Sequence, residues 1–173
     1  MSRFKLTREN ILDGSLPAYS QALLGQPARF MSDEERARQI DQALAAAPDP
    51  DSIWVFGYGS LMWNPAFHFA ERRTARIHGY HRQFCLWARA GRGSPERAGL
   101  MLGIEAGGCW NGVAYPVGPE LVRSELDVLW RREMNSLAYR PTWVAAPTRD
   151  GAMSALTFAV NRAPERDIGG LDL

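Results

Sequence analysis

The chain has 173 residues, of which 46% are hydrophobic and 10% aromatic, and this suits one compact domain with a buried core. Its 20 basic and 19 acidic residues leave a formal net charge of +1, which excludes the strong overall field that draws proteins to nucleic acid or acidic membranes. We therefore expect a small-molecule partner, with no nucleic acid and no membrane involved. The first residues carry no apolar leader and no window of about 18 apolar residues occurs, so we expect a soluble, cytoplasmic protein.

Residues 1–51 are predicted to form a helical appendage and linker that precede the main domain at 52–173. A short helix is expected after Thr7, followed by a loop and a longer helix. The longer helix opens with Ser32 and Glu35, which have the spacing of a capping box. Its weak apolar stripe predicts packing on the rim of the main domain. The stripe consists of Ile40, Ala43, Leu44 and Ala47.

From Ile53 onward the chain is rich in strand-like runs separated by turns that contain glycine. The runs are SIWVF, ARIHGYH, RQFCLWA, GLMLGI, WNGVAYPV, RPTWVAA and ALTFAV. The segment from His78 to His81 is expected to cap a hairpin. One helix interrupts the strands, beginning at Gly118 and Pro119 and running to about Met134. Many strands with one strong helix predict an α+β fold, a small mixed and strongly curved sheet or barrel with surrounding helices.

The two cysteines, Cys85 and Cys109, lack Cys-x-x-Cys spacing, and the three histidines follow no metal-ligand pattern. We therefore expect no metal site. Both cysteines lie in apolar runs, where a free cysteine usually packs as a small hydrophobe. A disulfide between them is possible but is not indicated.

A glycine turn, Gly57-Tyr58-Gly59-Ser60-Leu61, follows the first predicted strand. Successive backbone N–H groups in such a turn can point into one concavity and bind an anion, and glycine lets a ligand approach closely. The pattern lacks the further residues of a dinucleotide fingerprint, a phosphate loop or a nucleophile elbow. An ordinary turn between a strand and a loop is the alternative.

The predicted helix carries an acid where an apolar residue is expected. At about 100° per residue, Glu133 falls near the middle of the apolar stripe, whereas Glu125 lies at its edge, so Glu133 is predicted to be the one acid of this helix that faces the interior. Burial and the negative end of the helix dipole both raise the pKa of Glu133, as a general base near neutrality requires. A buried ion pair, for example with Arg140, is the alternative. The stripe consists of Val122, Leu126, Leu129 and Trp130.

Several motifs in order along residues 53–161 resemble the ChaC-type gamma-glutamylcyclotransferases. These motifs are VFGYGSLMWNP, RGSPERAGLMLGI, CWNGVAYPV, LWRREM and AYRPTWV. The resemblance implies an enzyme that cleaves the gamma-glutamyl bond of glutathione into 5-oxoproline and cysteinylglycine, without metal or organic cofactor. Such proteins usually continue past the last strand into a further helical segment, so we expect this domain to be short at its C-terminus, residues 167–173.

The resemblance also implies roles for individual residues. The loop of Tyr58, Gly59, Ser60 and Leu61 would hold the gamma-glutamyl group, and Glu133 would act as general acid and base. By the same resemblance, Tyr139 would line this pocket.

Other roles remain open at the level of the sequence. Arg92 either presents its guanidinium to the glycine carboxylate of glutathione or lies in a turn as a solvated side chain. Ser60 as a covalent nucleophile is disfavoured, because no motif places a histidine as its base. Action on other gamma-glutamyl amines or peptides is one alternative function, and a catalytically silent binding module for gamma-glutamyl compounds is another. The oligomeric state is not indicated.

Overall fold

The computed structural model describes residues 4–25, 30–88, 92–94, 96–135, 138–147, 151 and 153–162. Three helices come first: α1 (Arg8–Leu12), α2 (Ser15–Leu24) and α3 (Asp33–Ala45). They are followed by β1 (Trp54–Gly57), a 3-10 turn at Ser60–Met62, β2 (Arg73–Ala88) and β3 (Gly99–Pro116). The remaining elements are α4 (Val122–Glu133), β4 (Tyr139–Ala145) and β5 (Ser154–Val160).

The five strands form one mixed sheet in the order β2-β3-β1-β5-β4. Neighbouring strands are antiparallel except for β1 and β5, which run parallel at the centre. The sheet curls so that its edge strands β2 and β4 approach each other, which gives a half-barrel. The predicted α+β fold with a mixed, strongly curved sheet is thus confirmed.

The strands β2 and β3 form one long hairpin, although the sequence predicted two shorter strands in each. Gly79 has a φ of 82°, and the register with β3 shifts between His78 and Tyr80. This is a β-bulge, and a glycine accommodates the positive φ without a steric penalty. The prediction of a hairpin cap at His78 to His81 was therefore wrong, because the bulge bends the strand without ending it.

The helix α4 packs against one face of this sheet. It begins at Val122, later than predicted, because residues 119–121 form a turn. Three of the four residues of the predicted stripe, Leu126, Leu129 and Trp130, are each at most 1% exposed, and Val122 is half-buried. However, Glu125 is also only 1% exposed, so the prediction that Glu133 is the one inward-facing acid of this helix was wrong.

Of the helices before β1, α1 and α3 pack onto α4, and α2 packs onto α1. Thr7 caps α1 and the Ser32 capping box opens α3, as predicted, whereas α2 lies where a loop was expected. Ile11 and Ile40 are buried in the same hydrophobic core as the apolar stripe of α4. The core therefore depends on residues from the N-terminal part of the chain. None of the helices in the described residues is long and apolar enough to span a membrane.

Candidate active site

The glycine turn lies at the end of β1, the central strand of the half-barrel. The chain turns back tightly there, since a Cβ added to Gly57 would lie 2.9 Å from the Cβ of Leu61. Two side chains hold the turn by its carbonyl groups. Arg82 Nη1 donates to Tyr58 O at 3.0 Å, and Tyr115 Oη donates to Leu61 O at 2.9 Å.

The outer side of this turn faces open space. A Cβ built on Gly59 would meet no atom within 4 Å, and Ser60 is exposed. Within the described part of the chain, the backbone N–H groups of Gly59, Ser60 and Leu61 donate to no other group. Among the described residues these three adjacent donors therefore have no partner, and the space beside Gly59 is open to a ligand.

Glu133 is the last residue of α4. Its side chain is 15% exposed, but its Oε1 atom is out of contact with solvent. Arg132 Nε lies 2.9 Å from Oε1 without the alignment of a hydrogen bond, and no other described residue donates a hydrogen bond to that oxygen. Burial raises the pKa of Glu133, and the adjacent Arg132 guanidinium opposes part of this rise. The sequence suggested Arg140 as an ion-pair partner of Glu133. Arg140 is exposed, and the ion-pair partner of Glu133 is Arg132.

Two tyrosines share this environment with Glu133. Burial raises the pKa of both Tyr58 and Tyr139, and the negative charge of Glu133 raises both further. Both phenols therefore stay neutral near pH 7. Tyr58 Oη donates to Phe158 O at 2.8 Å and Tyr139 Oη donates to Leu102 O at 2.9 Å. Since each hydroxyl proton is engaged by a strand carbonyl, each oxygen is left as an acceptor.

Cys85 lies close enough to both tyrosines to influence their pKa values. Burial, followed by the nearby carboxylate of Glu105, raises the pKa of the Cys85 thiol to about 11. The thiol is therefore protonated near pH 7 and is a poor nucleophile. Cys85 and Cys109 are both free thiols.

Arg132 connects the glycine turn to Glu133. Its side chain is only 3% exposed, and its Nη2 donates to Ser60 Oγ at 2.9 Å. Its Nη1 donates to the carbonyls of Asn64 and Pro65, the latter at 3.1 Å. No role was predicted for Arg132 from the sequence, although its position beside the acid in the LWRREM motif was a usable signal.

Arg92 is exposed and lies between the ends of β2 and β3. Its positive charge lowers the pKa of Tyr139 against the dominant effect of burial, so it faces the same group of side chains. Of the residues predicted for the site, Glu133, Tyr58 and Tyr139 are thus within electrostatic range of one another, and Arg92 is within range of Tyr139. Ser60 joins them through Arg132. The described residues contain no cluster of three or more His, Cys, Asp or Glu side chains that could hold a metal ion.

The curled mixed sheet with its few helices is a fold shared with gamma-glutamylcyclotransferases. A yeast gamma-glutamyl cyclotransferase specific to glutathione superposes with a TM-score of 0.57 at 21% identity, covering 64% of this chain and 69% of that one. YkqA from Bacillus subtilis superposes with a TM-score of 0.51 at 30% identity, covering 64% of this chain and 41% of that one.

The chain belongs to the ChaC-like protein family, whose model matches residues 53–165. It is 45% identical to the glutathione-specific gamma-glutamylcyclotransferase of Escherichia coli, over 92% of this chain and 69% of that protein. It is 35% identical to glutathione-specific gamma-glutamylcyclotransferase 1 of Mus musculus, over 64% of this chain and 52% of that protein. The chain therefore spans between half and about seven tenths of the length of these relatives. The resemblance inferred from the motifs is confirmed.

Proposed function

We propose that this chain is a lyase that converts glutathione into 5-oxoproline and cysteinylglycine. The observation that carries the proposal is the carboxylate of Glu133, whose Oε1 is out of contact with solvent and which Arg132 links to the open glycine turn. The names of the Escherichia coli and mouse relatives support the same substrate.

The reaction needs no nucleophile from the protein, because the substrate supplies its own. The alpha-amine of the gamma-glutamyl group attacks the gamma-carbonyl carbon, so that a new C–N bond closes a five-membered ring. The amide bond to the cysteine nitrogen then breaks. Well-oriented intramolecular reactions gain about 7 to 11 kcal/mol over bimolecular ones, so positioning supplies much of the acceleration.

Proton transfer remains, and we assign it to Glu133. The substrate ammonium has a pKa of about 8 in free solution, so it must lose a proton before it can attack. Glu133 takes this proton and donates it to the cysteine nitrogen as the amide bond breaks. The ring nitrogen must lose a second proton to become the lactam N–H; the regenerated Glu133 carboxylate takes that proton and passes it to the released cysteinylglycine amine. A carboxyl group whose pKa is raised toward neutrality is well suited to both steps.

The turn of Tyr58, Gly59, Ser60 and Leu61 is proposed to hold the gamma-glutamyl group. Its unused N–H groups would bind the alpha-carboxylate or the oxyanion that develops on the gamma-carbonyl. The acceptor oxygens of Tyr58 and Tyr139 suit the alpha-ammonium. This assignment places the substrate amine close to Glu133.

We further propose that the protein works in the cytoplasm with a small-molecule substrate and no nucleic acid partner. The free thiols of Cys85 and Cys109 suit a reducing compartment. The formal net charge of +1 supports a partner that is recognised locally rather than by a strong overall field.

One assay tests the proposed reaction. The purified protein is incubated with glutathione, and separately with gamma-glutamylalanine, while the release of 5-oxoproline is followed. We expect product from glutathione and little from the dipeptide. Comparable release from both would indicate a broader gamma-glutamylcyclotransferase. Measurable binding of glutathione without product would indicate a binding module, and neither binding nor product would contradict the proposal.

The substitution Arg92→Met tests the proposed contact with the glycine carboxylate of glutathione. A hydrogen bond to a charged group contributes about 1.5 kcal/mol, so KM for glutathione should rise about tenfold. We expect kcat to change little, since the contact is made equally in the ground state and the transition state. Steady-state kinetics with glutathione measure both constants. Arg97→Met removes another exposed arginine nearby and should keep the parent KM; equal KM values for the two variants would exclude the contact.

A further inference from the structure

We propose that Arg132 is a positioning residue, which fixes the carboxylate of Glu133 relative to the glycine turn and supplies the positive charge that balances it. This inference rests on the proposed function, in which Glu133 is the general base. It assigns a specific part of the reaction to a side chain that acts through Glu133 and through the glycine turn.

All three guanidinium nitrogens of Arg132 are engaged. Nη2 donates to the hydroxyl of Ser60 at 2.9 Å, and Nη1 donates to the carbonyls of Asn64 and Pro65. Nε faces Glu133 Oε1 at 2.9 Å. The planar fork therefore sets the distance between the turn and the acid, whereas a lysine offers one point charge and no fork.

The charge of Arg132 is balanced locally. Among the described residues Glu133 is the acid within ion-pair distance of this guanidinium, and the other partners of Arg132 are uncharged carbonyl and hydroxyl groups. The guanidinium is also only 3% exposed, so solvent screens the interaction weakly.

The other titratable groups around Glu133 do not replace this charge. Tyr58 and Tyr139 face it as neutral phenols, and Cys85 beside them is a protonated thiol. Arg92 acts on Tyr139 from the exposed rim. Without the guanidinium of Arg132, burial would raise the pKa of Glu133 with little opposition, and a smaller fraction of this acid would be ionised at pH 7.

The test is the pH dependence of kcat/KM for glutathione in Arg132→Gln, Arg132→Lys and the parent. Glutamine keeps hydrogen-bonding capacity without charge, so the acid limb of the profile should move up by about one pH unit or more. Turnover at pH 7 should fall at least about tenfold and should partly recover as the pH is raised. Lysine keeps the charge, so the acid limb should stay near the parent position while kcat falls because the fork is lost.

Ser60→Ala separates the two parts of the proposal. It removes one hydrogen bond from Arg132 but leaves the charge beside Glu133, so its acid limb should coincide with that of the parent. An acid limb that moves as far in Ser60→Ala as in Arg132→Gln would contradict the electrostatic role.

The possible failures are distinguishable. If the parent protein releases no 5-oxoproline from glutathione, the proposed function is wrong. If the parent is active and Arg132→Gln loses activity equally at every pH, Arg132 has only a structural role and the inference is overturned. If Arg132→Gln does not fold, Arg132→Lys decides: parent-like turnover or a displaced acid limb in that variant would each contradict the proposal.

Discussion

Replacing Glu133 with glutamine is expected to lower kcat for 5-oxoproline release by at least about 100-fold. General acid–base groups typically contribute about 10²- to 10⁴-fold to a rate, and glutamine cannot exchange a proton at neutral pH. The amide has nearly the same shape as the carboxyl group, so substrate binding should change much less than turnover. Steady-state kinetics with glutathione, with kcat and KM determined separately, measure the effect.

The same substitution is expected to leave the fold intact and to make it no less stable at pH 7. The pKa of Glu133 is raised in the folded state above the ordinary value of 4.5. Ionisation of this acid therefore costs stability as the pH rises from 4.5 through the folded pKa, and a neutral amide avoids that cost. Urea unfolding at pH 7 should give a midpoint equal to or above that of the parent protein.

Glu120→Gln is the matched control for this experiment. It makes the same chemical change at an exposed acid just before α4, and both activity and the unfolding midpoint should match the parent. If purified Glu133→Gln released 5-oxoproline at close to the parent rate, Glu133 would not be the general base. A folded but less stable Glu133→Gln would instead show that the ion pair with Arg132 outweighs the cost of burying the charge.

Local patterns in the sequence predicted a useful part of this structure. The mixed, curved sheet follows from strand runs interrupted by one helix, and the capping box of Ser32 and Glu35 is a contact over three residues. The raised pKa of Glu133 was also predictable, because helical periodicity places it on the apolar stripe. The strand runs, the capping box and the position of Glu133 on the stripe depend on neighbours within one or two turns of the chain.

Features that depend on distant partners were not predicted. Glu125 was placed at the edge of the stripe, yet it is fully buried because Arg8 reaches it from 117 residues away. Periodicity describes one face of one helix and contains no information about what packs against it. In the same way, the bulge at Gly79 joins two predicted strands into one, since pairing with β3 continues on both sides of it.

The candidate site shows the same division between local and distant contacts. The sequence singled out Tyr58, Ser60 and Glu133 individually, from the turn, the helix and the resemblance. The sequence did not show that Arg132 joins Ser60 to Glu133. Nε of Arg132 faces the next residue, Glu133, but Nη2 donates to Ser60, which is 72 residues away in the sequence. Such a link becomes visible only when the two elements are packed together.

Among the substitutions considered, removal of the Arg8 side chain is expected to lower the free energy of unfolding most. Arg8 in α1 contacts both carboxylate oxygens of Glu125, with Nη2 at 2.8 Å from Oε1, and the N–H of His68 donates to Oε2 at 2.9 Å. Glu125 is 1% exposed, so Arg8→Met leaves a buried carboxylate without its counter-charge. Breaking a buried pair in this way typically costs about 3 to 5 kcal/mol, and we expect a loss of about 3 kcal/mol in the free energy of unfolding at pH 7.

The double variant Arg8→Met/Glu125→Gln tests the cause. Glutamine removes the uncompensated charge but can still accept from the His68 N–H, so much of the lost stability should return. Arg123→Met is the control, because it breaks an ion pair on the surface. The side chains of Arg123 and Asp41 are about 60% exposed, so their ion pair should contribute nothing measurable to the free energy of unfolding. Equal urea midpoints for Arg8→Met and Arg123→Met would contradict the prediction.

The pH dependence gives an independent check on the same pair. Burial alone would raise the pKa of Glu125, but the hydrogen bonds from Arg8 and from the His68 N–H lower it below the ordinary value of 4.5. A carboxylate with a lowered pKa contributes stability that is fully present above 4.5 and is lost as the pH falls through the folded pKa. The difference in unfolding free energy between the parent and Arg8→Met should therefore shrink as the pH is lowered below 4.5, because protonated Glu125 no longer needs the guanidinium. A difference that stays constant over this range would mean that Arg8 stabilises the core by packing rather than by its charge.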